Sequence, residues 1–172
     1  MRSRALAMIA IGLLCIGTPA LGMVYQASLG PMPLDDETKA VIAGRGTATA
    51  EFQGGTLTVK GTFHGLPSPA TEAHVFESPA IGVPGKPVLD LAVTQATEGT
   101  VSGRFKLDAA AVRAFRTGNF YIQIDSEKAP ATYPWGPKGT LWGWLLPEHR
   151  IVGQDVPQEG HWFLPQYDTP RD

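Results

Sequence analysis

The chain has 172 residues, 14 of them basic and 16 acidic, a net charge of −2 and 43% hydrophobic residues. That length suits one domain rather than two. The balanced charge lacks the basic patch that nucleic-acid binding requires.

The N-terminus is a segment of its own. "MRSR" is basic, "ALAMIAIGLLCIG" is apolar and "TPALG" supplies small residues, the three parts of a secretory signal. Residues 1–22 are therefore expected to be a signal peptide, cleaved after Ala20 or Gly22, with an uncleaved N-terminal anchor as the alternative. Only an uncleaved segment would tie the chain to a membrane. Cys15 is the single cysteine, and Leu14 stands before it where a lipidation site would carry a small residue. Cleavage would leave a chain without thiols, so disulfides and thiolate metal sites are excluded from it. Losing Arg2 and Arg4 leaves 12 basic against 16 acidic residues, a net charge of −4. The expected location is periplasmic or extracellular.

Residues 23–41, with "GPMPLDDETKA", are expected to be an exposed lead-in. From residue 42 the pattern has period two, the mark of half-buried strands. "RGTATAEF" aligns Ala48, Ala50 and Phe52 on one face; "TLTVKGTF" aligns Leu57, Val59 and Phe63. "GG" at 54–55 between them signals a hairpin. Further strands are expected at 71–77, 87–93, 99–107, 119–125 and 139–146. One helix is expected in "DAAAVRAFRTG", capped by Asp108 and ended by Gly118. A parallel sheet would need a crossover helix between most strands. The expected fold is therefore all-β, an antiparallel Greek-key-like β-sandwich of about seven strands with one short helix over residues 42–146. Residues 147–172 carry four prolines and read as an extended C-terminal tail docking through "HWFLPQY".

"GL" at 65–66, "AHVF" at 73–76, "GKPVLDL" at 85–91, "GRFKLDAAAVRAFRTGNFYIQI" and "GTLWGWL" at 139–145 resemble, in order and spacing, the chordin-type (CHRD) domain. The helix–glycine–strand unit at 107–124 is the most specific piece. The resemblance implies a small extracytoplasmic β-sandwich with no catalytic activity established for the family as a whole. Its polar motifs are altered here. The second histidine of A-H-x-H is Phe76, the histidine of Y-V-N-V-H is Asp125 and the asparagine is Gln123. In G-E-I-R-G the glutamate is Thr140 and the arginine Trp142.

Strand parity places His74, Phe76, Tyr121, Gln123, Asp125, Trp142 and Trp144 on one surface, if the strands pair as the resemblance implies. That face is the candidate contact site for a protein or small-molecule ligand. Its competing reading is a packed face covered by the tail. Trp135, in "YPWGPKG", sits in a turn-rich loop. A metal site needs three or four converging ligands, and parity brings together only His74 and Asp125. The expectation is no metal and no cofactor, with His74 a structural hydrogen-bonding residue. A periplasmic copper-handling protein using His74 and Asp125 is the alternative. No G-x-S-x-G elbow is present and no placed carboxylate pair can be read from the pattern. A binding or structural module is thus favoured over an enzyme.

Overall fold

The computed structural model describes residues 22–147, apart from residues 35, 37 and 131–137. The expected signal peptide, the tail beyond residue 147 and Trp135 lie outside the described residues.

Among the described residues, nine strands and one helix follow in chain order: β1 Met23–Pro31, β2 Arg45–Gln53, β3 Thr56–His64, β4 Ala70–Glu77, β5 Lys86–Val93, β6 Gly99–Lys106, α1 Ala109–Arg116, β7 Phe120–Ser126, β8 Gly139–Trp144 and β9 Leu146–Pro147. The fold is all-β with one short helix. The sheet order is β2-β3-β6-β5-β4-β7-β8-β1, and β1 pairs back onto β2, so eight antiparallel strands close into a barrel. The short β9 adds to β1. The expected sandwich is thus corrected to a barrel. The steps from β3 to β6 and from β4 to β7 in the sheet order keep the Greek-key character.

Closure depends on few residues. β5 meets β6 only at Ala92↔Ser102 and Val93↔Val101, and β1 meets β8 only at Gly30↔Trp142 and Pro31↔Leu141. The other strand pairs of the barrel are longer. The molecule is therefore two four-stranded walls stitched along two short seams, with the same period-two pattern that a sandwich would show.

A second correction concerns residues 23–31. They form β1, inserted between β2 and β8, rather than an exposed lead-in. Tyr25, Ala27 and Leu29 alternate into the core and are buried. Burying those side chains outweighs the exposure suggested by the polar residues that follow.

The barrel is filled by Leu57, Val59, Phe63, Ala73, Val75, Val101, Ile122, Ile124 and Leu141, among others. At one end α1 inserts Phe115, fully buried, against Tyr25 (ring centroids 4.0 Å apart), Phe52 and Phe120. Asp108 caps α1 by accepting a hydrogen bond from the Ala111 N–H at 2.8 Å. Gly118, at φ +80°, closes the helix. The Gly118 N–H donates to the Phe115 carbonyl and the Asn119 N–H to the Ala114 carbonyl, a Schellman pair. That turn hands the chain directly into β7.

Candidate functional site

Strand alternation sends Ala73 and Val75 of β4, and Ile122 and Ile124 of β7, into the barrel. His74, Phe76, Tyr121, Gln123, Asp125, Trp142 and Trp144 then belong to its outer surface. Register bears on this: His74 pairs with Gln123, Phe76 with Tyr121, Gln123 with Trp142 and Tyr121 with Trp144. All seven residues expected on one face lie on these adjacent strands.

Most of this face is buried. Trp142 and Trp144 are 0% exposed and Tyr121 is 1% exposed. They form a second hydrophobic cluster with Met32 and Ile42, against which Val41, Phe76 and Leu146 pack. Met32, Val41 and Ile42 all belong to the connection between β1 and β2. That connection lies over the outer wall and is held there by the Met32 N–H donating to the Thr140 carbonyl at 2.9 Å. The rings pack closely: Tyr121 stacks on Phe76 at 5.0 Å and lies tilted 4.7 Å from Trp144, and Trp142 meets Trp144 edge-on at 4.8 Å. The Tyr121 hydroxyl accepts from the Gly85 N–H at 3.1 Å, anchoring the β4–β5 loop. Burial raises its pKa; the Gly85 bond opposes that rise and the Asp125 charge adds to it.

The polar members cluster beside the aromatic ones. Gln123, 2% exposed, donates through Nε2 to Asp125 Oδ1 at 2.8 Å. Burial raises the pKa of Asp125; the Gln123 bond and the His74 and Lys138 charges oppose the rise, while Glu72 adds to it. His74 faces Asp90 of β5, with Nε2 3.5 Å from Oδ1, and meets Phe76 edge-on at 6.0 Å. Asp90 is the direct register partner of His74.

Glu72 is the residue that sequence reasoning passed over. One ligand atom each from Glu72, His74 and Asp125 lies within 4.8 Å of the others. Glu72 stands two residues before His74 on the same strand, and that spacing was the available signal. Asp125 comes from β7. Register shifts occur beside both positions, between Ala70 and Ala73 on β4 and between Ile124 and Asp125 on β7.

The end of the barrel opposite α1 holds a different feature. A cleft of about 710 Å³ opens between the β1–β2 connection and the rim formed by β1, β2 and β3. Leu29, Leu34 and Ile42 give it apolar walls, and Lys39, Arg45 and His64 line it with basic groups. Lys39 also pairs with Asp36 at 2.9 Å, an exposed contact. No sequence motif marks this cleft, because its lining is spread over a loop and three strands.

Residues 27–132 match the CHRD domain. The match begins inside β1. No curated protein and no solved structure matches the chain.

Proposed function

The chain belongs to the CHRD domain family, and on that premise we propose that it is an exported binding module, not an enzyme, that takes a small amphipathic anion in the cleft at its open end. The cleft carries this reading. Its volume of about 710 Å³ falls within the roughly 300–1,000 Å³ range of small-molecule sites. Apolar walls with Lys39, Arg45 and His64 at the margin suit an apolar body bearing a carboxylate. The aromatic face serves packing in this reading: its tryptophans hold the β1–β2 connection that forms one wall of the cleft. Export is supported by the signal pattern of residues 1–22.

Two measurements test it. Intact mass of the exported protein is expected to place its N-terminus near Leu21 or Met23; a membrane-bound species retaining Met1 would replace export by anchoring. Ligand-observed NMR with octanoate is expected to show saturable binding that weakens in Arg45→Ser. Octanoate that fails to saturate, or that binds Arg45→Ser equally well, removes the cleft as the ligand site.

A further inference from the structure

Parity along the strands offers His74 and Asp125 to a metal, and two ligands do not make a site. Glu72 supplies a third. We propose that Glu72, His74 and Asp125 bind one first-row divalent cation, of the Zn²⁺ type, on the outer wall of the barrel.

The geometry comes first. The three ligand atoms lie within 4.8 Å of one another. Ligands around an ion with bonds of 2.0–2.2 Å sit roughly 3–4 Å apart, so closure asks only for small side-chain adjustments. Two of the three come from one strand at a spacing of two, and the third from the strand hydrogen-bonded to it. Glu72 and His74 share the outer face of β4 by alternation, as Gln123 and Asp125 share that of β7.

Unmet polar groups point the same way. His74 Nδ1 and Gln123 Oε1 are buried with no hydrogen-bond partner among the described residues. Asp90 Oδ1 lies 3.5 Å from the other ring nitrogen, Nε2, so the unpartnered Nδ1 is the atom assigned to the metal. A carboxylate on the far nitrogen of a ligating histidine orients the ring and raises its basicity. Gln123, 2% exposed, performs the matching task for Asp125 by holding Oδ1 at 2.8 Å. Asp125 is itself 8% exposed, and a buried carboxylate is costly unless a cation or hydrogen bonds compensate it. Exposed Glu72 leaves the site a side open to solvent.

The donor set selects the ion. It contains no sulfur, so it does not favour Cu(I). Two carboxylates neutralise a divalent charge, and one imidazole favours a borderline ion over Mg²⁺ or Ca²⁺. A fourth, solvent-filled position completes a tetrahedron.

The test uses the full chain, stripped of metal with a chelator and titrated with Zn²⁺ by calorimetry. One equivalent is expected to bind, with a metal-dependent rise in Tm. Glu72→Gln removes one ligand at an exposed position and is expected to weaken binding by about 10-fold or more, while the metal-free Tm stays unchanged. His74→Gln is expected to do the same to binding; should that variant fail to fold, Glu72→Gln decides alone. His149→Gln/His161→Gln is expected to bind as the wild type does. Absence of saturable Zn²⁺ binding by the wild type overturns the proposal. Equal affinity in Glu72→Gln, or loss of binding in His149→Gln/His161→Gln, also overturns it by moving the ion elsewhere.

Discussion

Met32 is the pin by which the β1–β2 connection is fastened to the outer wall, and a double-mutant cycle with Gly139 measures its hold. Met32 is 0% exposed. Truncating a buried methionine to alanine removes its transfer free energy and leaves a cavity, together about 2–5 kcal/mol. The unbranched thioether leaves neighbours free to relax, which favours the lower half of that range. Gly139 poses the opposite problem. A methyl group built there meets Met32 Sδ first, and lies 2.9 Å from Gln123 Nε2 and 3.1 Å from Gln123 Cδ. Overpacking of this kind costs about 1–3 kcal/mol. Removing Met32 clears the first contact and leaves the two with Gln123. The double variant Met32→Ala/Gly139→Ala is therefore expected to lose less than the two single losses combined, by about 1 kcal/mol. Urea unfolding of the wild type and the three variants gives the coupling directly. Additivity to within about 0.5 kcal/mol would refute the seating of Met32 on Gly139, and with it the account of how the aromatic face is covered.

Two further outcomes are expected. Gly118→Val forces a β-branched residue to φ +80° and is expected to destabilise by roughly 1–2 kcal/mol; an unchanged urea midpoint would remove Gly118 from the helix cap. Burial raises the pKa of Tyr121, so above about pH 10 the unfolded chain loses a proton that the folded chain keeps, and stability falls as pH rises. Tyr121→Phe is expected to flatten that part of the alkaline decline, while at neutral pH it costs about 1–3 kcal/mol by leaving the Gly85 N–H unpaired. Identical slopes in alkaline denaturation would contradict the raised pKa.

How far the sequence could be read varied with the range of the interactions involved. The β2–β3 hairpin was legible because Ala48, Ala50, Leu57 and Val59 alternate strictly and Gly54 and Gly55, both at positive φ, make the turn. The helix was legible for a similar reason, since Asp108 and Gly118 act within a few residues of the backbone they cap. Closure was not. It rests on two residue pairs at each seam, and alternation carries no information about which strand lies next to which. β1 shows the same limit: Tyr25, Ala27 and Leu29 have the right period, but they follow an apolar N-terminal stretch of sequence and run into polar residues. At the site, parity grouped the seven residues of the outer wall. Glu72 shares the parity of His74, but nothing in the sequence brings it to Asp125, which is far along the chain. Parity also offered no means of telling that the tryptophans are covered by Met32, Val41 and Ile42, since loop packing has no period.

The seam between β5 and β6 has a consequence for self-association. With only Ala92 and Val93 paired to β6, the earlier part of β5 leaves a slot into which a strand from another copy could hydrogen-bond. The residues there obstruct such a guest. Pro87 has no N–H to donate, and exposed Lys86 and Asp90 put opposite charges beside the slot. A proline and charged side chains are common guards of a sheet edge, so β5 reads as a blocked entrance to runaway strand exchange. Polymerisation through this seam would become accessible on replacing Lys86, Pro87 and Asp90 together with uncharged β-formers.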